Sequence, residues 1–493
     1  MKATQRASGV LMHISSLPSK YGIGTLGQKA YEFVDFLSDS GQKYWQVLPI
    51  GPTAYGDSPY QSPSAFAGNP YFIDLDFLVN DGLLDGEKIR AIYGESPTRS
   101  IDYGMIYHTR GTIFDSITKN FDDTPQFAEF CEASRDWLDD YSLFAAIKEE
   151  CGGKCWTSFE GGLKYREKDA LARAKERLSE KIRKHKILQF LFARQWFALK
   201  GYAEMKGIKI IGDMPIYVAY DSCDVWCNAD MFKLDGELSP TEVAGCPPDE
   251  FSPDGQLWGN PLYNWDNCEK RDKIYDWWKK RLSLSTKLFD VVRIDHFRAF
   301  ADYYSISSRS ESARNGEWRE GAGEGFFEYL RAELGELPII AEDLGFLTDK
   351  VKKLLAATGF PGMKILQFGF DGDPHNEYLP HNYEKNCVVY LGTHDNITSK
   401  EWLDSLPETT YEKARDYMRL HDRNDVWGMI VAAMASVADT AIFTVQDLLC
   451  LGKEGRMNTP STNTGNWSFR VPDDYIWRIS ASRLKTLTEM YGR

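Results

Sequence analysis

The stretch Asp290-Val291-Val292-Arg293-Ile294-Asp295-His296-Phe297-Arg298 decides how the chain is read. It opens as an apolar, largely β-branched run over 289–294 and ends in a knot of charge. A run with no solvated face predicts a strand buried on both sides, as in a parallel sheet. Ionisable groups at the end of such a strand are costly to desolvate unless paired or used. Residues two apart on a strand share a face, so Arg293 and Asp295 point the same way. An arginine beside a carboxylate favours its ionised form, which a nucleophile requires. A purely structural ion pair would read identically on this stretch alone.

Outward from that strand, apolar runs at 8–14, 44–50, 208–213, 338–343, 363–368, 387–392 and 441–449 predict seven more. Helical periodicity is expected at 26–37, 112–121, 126–151, 187–205, 273–288, 325–334, 350–356, 426–438 and 482–491. Residues 164–186 alternate in charge sign, as a solvated helix face does. Eight buried strands alternating with helices predict a (β/α)8 TIM barrel. Two stretches interrupt the alternation. Residues 51–184 read as a largely helical inserted subdomain, and 217–268 as an irregular loop subdomain over the active site. Both leave from strand C-terminal ends, the face where such barrels carry their sites. No repeat, low-complexity tract or composition break marks a separate C-terminal β-domain, so residues 1–493 read as one elaborated barrel.

Composition narrows the function classes. A net charge of −14 argues against nucleic acid or an anionic membrane surface as partner. Aromatic residues make up 14% of the chain, with 14 Trp and 26 Tyr, which suits flat neutral ligands such as sugars. No apolar stretch of signal-peptide length follows Met1-Lys2-Ala3-Thr4-Gln5-Arg6, and the most apolar segment, 429–443, is too short to span a bilayer. The expected compartment is the cytoplasm, or a plastid if a transit peptide has been removed. Nine cysteines fit reduced thiols better than a disulfide framework. Cys151/Cys155 and Cys223/Cys227 share a spacing that zinc sites use, but lack a histidine cluster nearby.

Four predicted strands end in acids: Asp213, Asp295, Glu342-Asp343 and, just beyond the seventh, Asp395. Converging carboxylates cost stability without an evident structural return. One alternative is a divalent metal cage, although Arg293, His296 and His394 would compete with a cation. Paired carboxylates without metal fit glycoside chemistry, with one as nucleophile and the other as acid/base. Asp295 beside Arg293 suits the first role. Glu342, at the end of an apolar strand, suits the second, because desolvation raises a carboxyl pKa.

Four segments resemble the signature regions of the α-amylase superfamily: Gly212-Asp213-Met214-Pro215-Ile216-Tyr217-Val218, Val292 through Arg298, Ile340-Ala341-Glu342-Asp343-Leu344-Gly345 and Gly392-Thr393-His394-Asp395-Asn396. Their form is similar to the amylomaltase (4-α-glucanotransferase, disproportionating enzyme) branch. Three more runs carry the same resemblance: Tyr44-Trp45-Gln46-Val47-Leu48-Pro49, Asp57-Ser58-Pro59-Tyr60-Gln61-Ser62, and Cys246-Pro247-Pro248-Asp249 through Gln256-Leu257-Trp258-Gly259-Asn260-Pro261-Leu262-Tyr263. Together they cover almost the whole chain. Cys246 departs from the pattern, where another small or apolar residue is expected.

The resemblance implies Asp295 as nucleophile, Glu342 as acid/base and Asp395 as transition-state stabiliser. It implies substrate contacts from Ser58, Tyr60, Asp213, Gln256, Trp258, Arg293, His394 and Asn466. Tyr55 and Tyr107 match aromatics of a second glucan site, against which stands ordinary local packing. The implied reaction is a retaining transfer of an α-1,4-glucan segment to the 4-hydroxyl of an acceptor glucan or glucose, with no cofactor and no metal. A retaining α-glucan hydrolase is the alternative, since it needs the same acids; a non-catalytic glucan-binding barrel would lack one of them. Monomer and homodimer are both left open.

Overall fold

The computed structural model describes residues 6–94, 100–248, 252–345, 347–462 and 464–493; of Tyr55 only the backbone is described. Twelve strands occur among them. In chain order they are β1 (Ala7–Leu11), β2 (Tyr44–Gln46), β3 (Lys209–Pro215), β4 (Glu242–Cys246), β5 (Gln256–Pro261), β6 (Val291–Asp295), β7 (Asp302–Ser307), β8 (Glu317–Glu320), β9 (Ile339–Ala341), β10 (Gly362–Ile365), β11 (Cys387–Tyr390) and β12 (Thr440–Thr444).

Eight of these form one parallel sheet in the order β10-β11-β12-β1-β2-β3-β6-β9. The two edges meet: the Ala341 amide at the end of β9 donates to the Pro361 carbonyl just before β10 at 2.9 Å. The Asp343 carboxylate reinforces this seam by accepting from the Met363 amide at 2.7 Å. The sheet therefore curls into the (β/α)8 barrel, with all eight expected strands present. Most are shorter than expected. The eighth shows why: Thr444 accepts from the Asp447 amide at 3.1 Å and caps a helix over Val445–Leu448, where sequence alone predicts strand.

Helices cover the outside. The longest, Ser179–Met205, absorbs the end of the charged stretch and the apolar run behind it. The periodic stretch at 126–151 is two helices, Pro125–Ala133 and Arg135–Glu150, broken at Ser134. Two helices after β11, Ser399–Ser405 and Glu408–Met418, are missing from the sequence reading.

The larger correction concerns residues 217–268, which are not simply irregular. β4 and β5 within them join β7 and β8 from beyond β6 in a four-stranded antiparallel sheet, ordered β5-β4-β7-β8. These strands are short and rich in Gly, Glu and Ser, so neither period-two alternation nor an apolar run marks them. Between β4 and β5, residues 249–251, and with them Asp249, lie outside the described residues.

Gly212 in β3 marks where packing fixes the strand. A Cβ there would lie 2.2 Å from the Phe289 ring, which packs directly against the backbone. Gly212→Ala is expected to destabilise by about 1–3 kcal/mol through overpacking, read as a lower thermal unfolding midpoint. An unchanged midpoint would show that the ring yields freely.

Candidate active site

Strand register sets the centre of the site. Asp213 pairs with Arg293 across β3 and β6, and Ile294 pairs with Ala341 across β6 and β9. Asp213, Arg293, Asp295 and Glu342 thus alternate onto one face, at the C-terminal ends of adjoining strands. Parallel neighbours lie about 4.8 Å apart, which brings the Asp295 and Glu342 backbones close together. Asp343 points the other way into the β9–β10 seam, its carboxyl pushed up to about 6 chiefly by burial. It belongs to the scaffold, not to the acidic cluster.

Arg293 is 3% exposed. Its Nη1 donates to Asp213 Oδ1 and Oδ2 at 2.7 and 2.8 Å, and to Asp295 Oδ1 at 3.1 Å. The guanidinium therefore serves Asp213 first and Asp295 second. The expected Arg293–Asp295 contact is present, and Arg293 favours the ionised form of Asp295 as a secondary influence behind burial. Burial, with Glu342, Asp213 and Asp395 nearby, pushes the Asp295 carboxyl well above the usual range despite Arg293. Burial also raises Glu342, opposed by Arg293 and by the His296 amide, which donates to Glu342 Oε2 at 2.6 Å. Both carboxyls therefore favour their protonated forms more than an exposed acid does.

His296 explains how that amide reaches Glu342. It adopts the left-handed conformation, φ 55°, immediately after Asp295. Its ring meets the Trp258 indole edge-on at 4.7 Å. Trp258 Nε1 in turn donates to Gln256 Oε1 at 3.1 Å. Gln256 and Trp258 share one face of β5, so the small antiparallel sheet leans an aromatic wall on the turn holding the acids.

On the opposite side, the Tyr60 hydroxyl donates to Asp213 Oδ2 at 2.8 Å and lies 2.8 Å from His394 Nε2. Burial and Asp213 keep the phenol protonated. Its single proton goes to Asp213, so His394 must donate from Nε2, which fixes its tautomer. Burial pushes the His394 pKa below its ordinary value, which leaves the ring neutral near pH 7. The Tyr60 and His394 rings stack at 5.3 Å, and Trp467 lies 5.7 and 5.9 Å from them.

Asp395, with its side chain 44% exposed, accepts from Asn458 Nδ2 at 2.7 Å. Arg456 Nη2 donates to its backbone carbonyl at 3.2 Å. Ser58 acts one step back: its Oγ accepts from the Tyr60 amide at 3.2 Å and shapes the turn that carries Tyr60. Asn466 does not join the acids. Its amide group bonds Thr459 and Thr462 within its own loop. Tyr107 is 43% exposed, its hydroxyl donates to Asp57, and its ring contacts are Tyr71 and Tyr103. The Tyr55 side chain lies outside the described residues. Trp467, Asn458 and the His296 amide escaped the sequence reading. The first two sit in a loop without periodicity; the third is a main-chain group that no side-chain inventory reveals.

A barrel with a buried arginine, a carboxyl pair on neighbouring strands and a third acid opposite is built to handle a transient positive charge. Over residues 12–475 the chain matches the family described as 4-alpha-glucanotransferase. The chain belongs to that family. It is 48% identical over 487 residues to the 4-alpha-glucanotransferase of Clostridium butyricum, covering 98% of this chain and 100% of the relative. The Arabidopsis thaliana chloroplastic/amyloplastic relative is 40% identical over 501 residues, with 99% and 86% covered. Among solved structures, the Streptococcus agalactiae amylomaltase in complex with acarbose superposes with a TM-score of 0.95 at 42% identity, covering 99% of this chain and 100% of that one. As a 4-alpha-glucanotransferase-family protein the chain is an enzyme of glucan transfer. Among the described residues, no helix is long and apolar enough to cross a membrane.

Tyr60→Phe removes the hydroxyl shared by Asp213 and His394. Losing a hydrogen bond to a charged group costs about 1.5–3 kcal/mol. The expected result is a lower thermal unfolding midpoint together with a roughly 10-fold or greater fall in kcat/KM on maltotriose, as Asp213 and His394 lose their shared partner. Unaltered kinetics would remove Tyr60 from the working site.

Proposed function

We propose that the chain disproportionates α-1,4-glucans by a retaining double displacement, with Asp295 as nucleophile and Glu342 as acid/base. The observation that carries this is the register of β6 and β9, which sets those two carboxyls side by side on adjacent strands. Retention needs them about 5–5.5 Å apart, whereas inversion needs a wider gap for water. In the reactive state the shared proton sits on Glu342 and Asp295 is ionised. Asp295 attacks the anomeric carbon while Glu342 protonates the departing chain; Glu342 then takes the proton from the 4-hydroxyl of an incoming glucan or glucose. Asp395, fixed by Asn458, faces the developing positive charge of the sugar ring.

Arg293, Asp213, Tyr60 and His394 form the floor that grips sugar hydroxyls. Gln256 and Trp258 form the wall on the acceptor side. Transfer prevails over hydrolysis if this wall and its loop exclude water from the glycosyl-enzyme while admitting a sugar. We further propose a reducing compartment, consistent with nine cysteines that are all free. Ser58 supports the Tyr60 turn in this scheme; Asn466 shapes its own loop. Tyr55 and Tyr107 would serve a second glucan site away from the reacting sugar, a reading supported by the resemblance.

Incubation with pure maltotriose tests the reading. Glucose together with a ladder of longer chains, at constant total reducing ends, is expected; rising reducing ends with only shorter products would mean a hydrolase. A pH profile tests the proton inventory. Activity requires one proton on the pair: below the acid limb Asp295 is neutral, and above the basic limb Glu342 has lost its proton. Because both carboxyls are shifted upward, the acid limb of kcat/KM is expected above the ordinary carboxylate value of about 4. A limb at or below that value would contradict the shared-proton arrangement.

A further inference from the structure

Outside the catalytic face, one side-chain cluster has no part in glucan chemistry. Cys223 and Cys227 open and close a single turn of helix, Cys223–Cys227, that begins at the Ser222 cap. Four residues apart on a helix, they lie on one face, and their sulfurs are 3.6 Å apart. Cys223 is buried, while Cys227 is half-buried and reachable from solvent. Arg166 Nη1 donates to the Cys227 sulfur at 3.1 Å. That arginine is itself held in place: it packs 4.3 Å from the Trp226 ring centre, its Nη2 bonds Asp140 at 2.6 Å, and its backbone is left-handed at φ 54°.

The two sulfurs are thus in contact, one half-buried beside a guanidinium that Asp140 also binds and the other fully buried. Redox-active cysteines occupy such settings: electropositive, partly exposed and next to a second thiol. Zinc would need further ligands, and among the described residues no three His, Cys, Asp or Glu side chains gather in a metal-binding group. Cys151 and Cys155, the other equally spaced pair, show no sulfur–sulfur contact among the described bonds; Cys155 accepts from Thr157 instead.

We propose that Cys223 and Cys227 form a peroxide-reactive dithiol site, with Cys227 as the attacked sulfur and Cys223 as the resolving one. The Cys227 sulfur attacks one oxygen of hydrogen peroxide, the O–O bond breaks, and the departing hydroxide leaves as water with the thiol proton. Cys227 is then a sulfenic acid. The Cys223 sulfur displaces its hydroxyl: the S–S bond forms, the S–O bond breaks, and a second water leaves with the Cys223 proton. The two thiols lose two electrons, and peroxide gains them. Closing the bridge brings the sulfurs from contact to about 2.05 Å and the Cβ atoms to about 3.5–4.5 Å, closer than the roughly 5–6 Å of a helical i, i+4 pair, so the single helical turn unwinds as the bond forms. A dithiol reductant reverses the step by exchange.

The site sits on the scaffold of the catalytic floor. The Cys223 amide donates to the Pro63 carbonyl at 2.9 Å, and the Asp224 carboxylate accepts from the Ala65 amide at 2.8 Å. This turn therefore clamps the segment following Tyr60.

Treating the full-length native protein with hydrogen peroxide, alkylating the remaining thiols and mapping the peptides tests the assignment. Two of the nine thiols are expected to be lost, and the 223–227 peptide to carry an internal disulfide that dithiothreitol removes. In Cys223→Ser the bridge is absent, and a sulfenic acid at Cys227 is expected to accumulate and be trapped by dimedone. Thiols lost elsewhere while Cys223 and Cys227 stay alkylatable would overturn the proposal, as would dimedone labelling of Cys223→Ser at another cysteine. The wild-type map decides alone if that variant fails to fold.

Discussion

The site depends on one buried cation. Arg293 is withdrawn from water between β3 and β9, and the cost of burying its charge is offset chiefly by Asp213, which faces it across the register and takes two of its hydrogen bonds. Removing either partner would strand a charge in the barrel interior, a penalty of several kcal/mol by the behaviour of broken buried pairs, about 3–5. What is left of the guanidinium's field reaches Asp295 at 3.1 Å. One positive charge thus faces several carboxyls, and burial pushes both Asp295 and Glu342 upward despite it. In this account, nucleophile and acid are two states of one coupled unit, not two independently tuned residues.

Around that core, three separate parts of the chain converge on side chains that the barrel alone could not supply. The loop after β2 contributes Tyr60, which ties Asp213 to His394. The loop after β12 brings Asn458 to Asp395 and lays Trp467 beside the Tyr60–His394 stack. The small antiparallel sheet presents Trp258 to His296, whose amide holds Glu342. Each insertion therefore reaches a different catalytic or binding group through one or two hydrogen bonds or ring contacts.

The barrel was legible because its strands are buried on both faces and read as apolar runs, with acids marking their C-terminal ends. Asp213, Arg293, Asp295, Glu342 and Asp395 were legible for the same reason, and the resemblance to amylomaltases named their roles. Asp343 was counted among the strand-end acids although strand alternation already turns it away from Glu342, and its carboxylate closes the β9–β10 seam. The four-stranded sheet was illegible because β4 and β8 contain little apolar patterning, and because its two hairpins are joined by the β4–β7 pairing across the intervening β6. The left-handed turn at His296 and the cap at Thr444 depend on main-chain geometry, which local composition signals poorly. Asn466, a substrate contact implied by the resemblance, bonds Thr459 and Thr462 in its own loop, and Trp467 beside it faces the Tyr60–His394 stack.

The most direct test of the central claim is to trap the glycosyl-enzyme. Fluoride leaves without a proton donor, so Glu342→Gln incubated with α-maltotriosyl fluoride should complete the first displacement but lack the base for the second. The account predicts a maltotriosyl adduct on the peptide containing Asp295, seen by mass spectrometry and absent from Asp295→Asn. An adduct on another carboxylate, or turnover of the fluoride with inverted product and no adduct, would contradict it.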